Sequence, residues 1–329
     1  MDFIACSLKN FKVLGYNNPI KLKCETGKIF NIIYREKVLR AIVESYNYQL
    51  RFGTEISNTL CNNYALVSVI ENSIGDKNKR SVIINNEYVL AQNFSTALWF
   101  IKDNAVTPYF VTISSNGAFL EPSILKRNVY YSDSKAKFDL VDFSKEELNE
   151  AIKWFDILLK FMTKIETNKI NVSASTLENM SAYLTFDIPS FERAFHFLDI
   201  ARKNDFLPAK IASYISILES LFAVKGENTH KVAERAAALI AKDKDERYDL
   251  FRDIVSFYGI RSDYIHGSEI KSKTHDVLPQ TSKKLDSIVR RVLIEMYLNH
   301  PELNYRNKKS EKTKSFDEVN EWFIRLTFS

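Results

Sequence analysis

Between Tyr248 and His266, apolar residues return at spacings of three, four and seven: Phe251, Ile254, Val255, Tyr258 and Ile265. That rhythm predicts a helix with one face turned towards a core. Gly267 follows at the position where a left-handed residue closes a helix, so the predicted span is 244–266 and His266 lies in its last turn. The same period runs through the second half of the chain and predicts helices over 145–163, 175–183, 190–203, 208–222, 230–241, 282–298 and 316–326. Their starts are marked locally. Ser144, Ser175, Asp243 and Ser315 each precede a glutamate by three residues, the spacing at which a side-chain oxygen and a carboxylate cap one helix reciprocally. Pro208 suits the first turn of a helix whose stripe is Ile211, Tyr214, Ile215, Leu218, Leu221 and Phe222.

The first 140 residues follow a different rhythm. Ile20–Lys23, Ile29–Tyr34, Ser81–Ile84 and Tyr109–Ile113 are short β-branched or aromatic runs. Turn-forming stretches at Gly15–Asn18, Gly75–Asn78 and Ser114–Gly117 separate them. Helical interruptions are expected at 35–50 and around 96–102. The pattern predicts an α+β protein: a mixed α/β module over 1–140 and an all-helical domain over 141–329.

Composition narrows the class. Of 329 residues 45% are apolar and 13% aromatic, enough for substantial cores. Net charge is +5, compatible with a nucleic-acid partner. Cys6, Cys24 and Cys61 are odd in number and lack C-x-x-C spacing, which fits neither a disulfide framework nor a zinc ribbon and points to a reducing cytoplasm. Cys61 reads as a buried structural thiol. The N-terminal run has no signal-peptide pattern, and no apolar stretch is long enough to span a membrane. The histidines show no metal-ligand spacing, so neither a metal nor another cofactor is expected.

Chemistry gathers on the 244–266 helix. Arg261 and His266 fall on opposite shoulders of its apolar stripe, about 140° apart at 100° per residue. A solvated arginine and a histidine favoured by the helix dipole would look the same at this spacing. Glu219 and Arg235 sit at the edges of the apolar faces of their own helices. They could pair with each other and tie two helices, or one could orient Arg261 or His266. Tyr305–Lys314 is strongly basic, and Lys308, Lys309 and Lys312 form either a solvated linker or a weak track for phosphates.

The string Arg261-Ser-Asp-Tyr-Ile-His266-Gly267, together with Ile217–Phe222, His230–Ala237 and Phe257–Arg261, resembles the R-x4-6-H region of the HEPN superfamily, in particular its Apea-like branch. The resemblance covers roughly 50 residues. It implies an all-α HEPN domain that cleaves RNA, tRNA being one candidate, without a metal and with Arg261 and His266 as catalytic residues. It also implies a homodimer in which two such helices line one cleft. Ser262 could donate a further hydrogen bond and Asp263 could steer His266. Ser262 departs from the polar residue, Asn, Asp or His, that many HEPN nucleases carry after the arginine. Residues 1–140 would sense a trigger or dock a neutralising partner. The implied role is a toxin or an abortive-infection effector in antiviral defence. The alternative is a catalytically inactive HEPN scaffold that holds RNA, a nucleotide or a protein.

Overall fold

A computed structural model describes residues 2–15, 19–23, 25, 29–33, 37–44, 46–70, 77–115, 123–162, 189–223, 228–267, 276–306 and 314–328. The architecture is α+β. The chain divides into two compact units, Met1–Asp133 with Lys137–Lys160, and Ser134–Ala136 with Phe161–Ser329.

The first unit is built on an antiparallel sheet of β1 (Asp2–Lys9), β3 (Ile20–Lys23), β4 (Ile29–Ile33), β5 (Tyr64–Ile70), β6 (Thr107–Ser115) and β7 (Ser123–Lys126), in the order β3-β4-β5-β1-β6-β7. β1 and β5, at its centre, lie outside the predicted strands. Both are buried along most of their length, so they lack the alternation that marks a half-exposed strand. β3 does alternate, burying Ile20 and Leu22 and exposing Lys21 and Lys23.

Helices cover both faces. α1 (Lys37–Val43) and α2 (Tyr46–Asn62) pack Leu39, Val43, Tyr48 and Leu60 against Ala5, Ala65, Val67 and Phe110. Gly53, at φ 81°, breaks α2 with a conformation that side chains disfavour. The other face meets α3 (Lys77–Ile101), where the buried pair Arg80–Asp2 joins helix to sheet.

The strand expected at Ser81–Ile84 is therefore helical. Ile84, Tyr88, Ala91, Ser95 and Leu98 are buried at alternating spacings of four and three, while Val82 is exposed. A four-residue run with three apolar positions has no period of its own, and its helical continuation decides it.

The units part near residue 160, not at 140. β8 (Val141–Phe143) pairs in parallel with β2 (Phe11–Val13), and α4 (Lys145–Met162) lays Phe155 near Phe94 and stacks Trp154 on Phe100. An amphipathic helix follows its apolar stripe, and the partners of this stripe lie in the first unit.

The second unit is a helical bundle: α5 (Ser190–Lys203), α6 (Leu207–Phe222), α7 (Asn228–Ile240), α8 (Lys244–His266), α9 (Leu278–Leu298) and α10 (Phe316–Phe328). α6 is its axis, buried on nearly every side and packed against α5, α7, α8 and α9. Two long buried side chains find polar partners inside. Lys210 donates to the Ala201 carbonyl at 2.7 Å, and Tyr214 to Asp286 at 2.8 Å. The strands β9 (Tyr305–Arg306) and β10 (Lys314–Ser315) form a short parallel pair before α10.

Two of the four predicted capping boxes, at Ser144 and Ser315, are reciprocal; the third, at Asp243, caps in one direction only, because Glu246 accepts from the Lys242 N–H. The Glu147, Glu246 and Glu318 amides donate to Ser144, Asp243 and Ser315 at 3.2, 2.8 and 3.3 Å. The fourth, at Ser175, and the helix expected over 175–183 lie outside the described residues.

Candidate functional site

α8 carries the Arg261–His266 segment, and its ends are set by local chemistry. Asp243 caps the start. Gly267 stops the helix in the left-handed region at φ 69°, ψ 21°, and its N–H returns to the Asp263 carbonyl. The buried residues are Leu250, Ile254, Phe257 and Tyr258, after which none is buried. Ile265, expected at the end of the buried stripe, is 55% exposed. The stripe is sound up to Tyr258, and beyond it the helix buries no further residue.

Arg261 and His266 thus occupy the unburied last two turns. Five residues of helix set them about 7.5 Å apart along the axis. The two differ in surroundings. Arg261 is half-buried and its guanidinium lies 3.3 Å from the Glu219 carboxylate on α6, whereas His266 is exposed. Ser262 is exposed and Asp263 half-buried. Tyr264 stands three residues after Arg261, its ring 5.8 Å from that of Phe206, and both rings are partly open to solvent.

Glu219 also lies beside Tyr258. Burial pushes the Tyr258 phenol well up, the Glu219 charge adds to the push, and Arg261 acts against it. Tyr258 therefore stays neutral and packs under the ion pair.

Glu219 and Arg235 do not pair with each other. Arg235, 5% exposed, donates to the Phe222 carbonyl at 3.1 Å and to Asn320, and lies over the Phe323 ring at 5.3 Å. Its partners belong to α6 and α10, which makes it a tie between helices. Glu219 is the member of the expected pair that reaches Arg261. Lys308, Lys309 and Lys312 fall outside the described residues.

Sequence reasoning missed the ring pair Phe206–Tyr264 on the helix that carries Arg261. The i, i+3 spacing of Tyr264 was a usable signal, but Phe206 is brought in by tertiary packing alone.

Cys61 is buried, and burial raises its thiol. Among the described residues, no three His, Cys, Asp or Glu side chains gather as a metal site would require, and no helix is long and apolar enough to cross a membrane. Compared with known protein families, with curated proteins and with solved structures, the chain finds no match in any of the three.

Proposed function

We propose that this chain is a metal-independent endoribonuclease of HEPN type, working as a homodimer in the cytoplasm as a toxin or abortive-infection effector. The observation that carries this reading is the contrast along one helix end: an arginine braced by a carboxylate, and five residues later a histidine open to solvent.

The chemistry needs no protein nucleophile. The ribose 2′-oxygen attacks the neighbouring phosphorus, its proton passes to a base, and the 5′-oxygen leaves with a proton from an acid. The products are a 2′,3′-cyclic phosphate and a 5′-hydroxyl. His266 fills the acid or base role, because imidazole exchanges protons near neutral pH. Arg261 holds the non-bridging oxygens and stabilises the extra charge of the five-coordinate phosphorus. Glu219 limits the directions the guanidinium can take. The exposed rings of Phe206 and Tyr264 offer a flanking base a surface to stack on.

One histidine cannot be acid and base in the same step. Two copies related by a two-fold axis would supply both, and exposed Ile265 on the last turn of α8 is a suitable contact for the second copy.

The deciding experiment incubates wild type, Arg261→Ala and His266→Ala with total RNA and tRNA in chelator, and maps the ends. Cleavage to cyclic phosphate, lost in both variants, supports the reading. Equal cleavage by all three proteins rejects it.

One observation favours a second reading, a non-catalytic scaffold: Glu219 already partners Arg261 and could make it purely structural. In that case expression of wild type and of His266→Ala would affect cells equally.

A further inference from the structure

The first unit gathers a cluster that nothing above uses. β1 and β6 fall out of register between Ser7 and Leu8: Ser7 faces Phe110 and Leu8 faces Pro108, leaving Tyr109 as the extra residue of a β-bulge. A bulge re-aims the side chain it carries. Here it sets the Tyr109 ring beneath two ammonium groups, Lys9 from β1 at 3.5 Å from the ring centroid and Lys126 from β7 at 4.8 Å. The Tyr130 ring lies alongside, 6.1 Å away and tilted by 33°, and is 39% exposed.

Two lysines converging on one ring repel each other, and the counter-charge present is slight. Glu55 of α2 reaches Lys126 at 3.8 Å, longer than a hydrogen bond, with its side chain 80% exposed. The local field is positive enough to act on the phenol: the hydrogen bond from Lys126, and then the charges of Lys9 and Lys126, hold Tyr109 below its ordinary value. Lys126 is raised in turn by Tyr109. A carboxylate loosely held at Lys126 marks where a stronger anion would sit. An open aromatic ring beside it suits a planar group attached to that anion.

We propose that Lys9, Lys126, Tyr109 and Tyr130 form a nucleotide-binding site, in which the lysines take the phosphate and Tyr130 stacks on the base. The nucleotide is either free or part of a single RNA strand, and the phosphate-plus-base chemistry is common to both. Glu55 occupies the anion position until the phosphate displaces it.

The test uses full-length protein carrying Arg261→Ala and His266→Ala, so that binding is read without any contribution from the proposed catalytic pair. Calorimetry with inorganic phosphate, a nucleoside 5′-monophosphate and a short single-stranded RNA separates the sources. The monophosphate or the RNA should bind more tightly than phosphate. Lys9→Met and Lys126→Met should each weaken binding by about tenfold, the effect of one charge-assisted hydrogen bond. Glu55→Gln, at an exposed position that leaves the fold alone, should tighten it. Bound phosphate should also raise the pH at which Tyr109 ionises, read from phenolate absorbance. Failure of every probe to bind overturns the proposal. So does binding unchanged by Lys126→Met in a variant with a wild-type melting profile, or by Glu55→Gln. None of these outcomes bears on RNA cleavage by the wild type.

Discussion

Glu219 braces Arg261 across two helices, its carboxylate oxygen 3.3 Å from the guanidinium. The pair is partly shielded and rests on a neutral tyrosine, Tyr258. Glu219→Ala should cost no more than about 1 kcal/mol of stability, since solvent still screens the pair. If Arg261 acts on phosphate, the same change should lower cleavage by about tenfold through lost orientation, a loss worth about 1.4 kcal/mol. Chemical denaturation and single-turnover cleavage measure the two separately. A loss of stability with unchanged cleavage would make Glu219 structural.

Arg235 should behave in the opposite way. Arg235→Ala strands a buried carbonyl and Asn320, and should destabilise the helical unit by about 3 kcal/mol. Arg235→Lys should recover only part of this, because an ammonium cannot span both partners. The folded fraction should keep its cleavage rate, as measured by urea titration with activity normalised to folded protein.

Ile265→Asp tests the assembly. Ile265 is 55% exposed on the last turn of α8. The substitution should leave the melting temperature within about 1 °C, as surface changes usually do. If two copies pair as proposed, it should nevertheless shift dimers to monomers in sedimentation velocity. A monomeric wild type would remove the two-copy site.

Gly267→Ala probes the helix stop. An added Cβ would meet nothing within 4 Å, so the cost is backbone strain alone at φ 69°. About 1 kcal/mol of destabilisation is expected, with Gly267→Asn milder because asparagine tolerates the left-handed region. Thermal melts of the three proteins give the order.

Glu147 links stability to acid. Burial pulls its carboxyl up, but the Lys102 ammonium, at 2.6 and 2.7 Å, and the Ser144 N–H outweigh that and hold it below its ordinary 4.5. The native contacts favour the ionised form. Their contribution is therefore complete above pH 4.5 and is lost as pH falls through the lower folded value. Lys102→Met should be less stable than wild type by at most about 1 kcal/mol at neutral pH after screening. That gap should close below pH 4.5, as followed by urea midpoints across a pH series.

Helix periodicity, helix caps and the Arg261–His266 spacing could all be read from residues a few positions apart, because a helix repeats within one turn and a cap closes within four residues. That is why Ser190–Lys203 and Lys244–His266 appear where the pattern puts them. The central strands β1 and β5 could not be read in this way. The partners of β1 lie some sixty and about a hundred residues away in sequence, and burial erases the alternation of both strands. Only the tertiary structure decided that Glu219 turns to Arg261 while Arg235 turns to Asn320, that α8 buries nothing after Tyr258, and that a bulge brings Tyr109 under Lys9 and Lys126. Each of these depends on which distant surfaces meet, and local spacing carries no information about that.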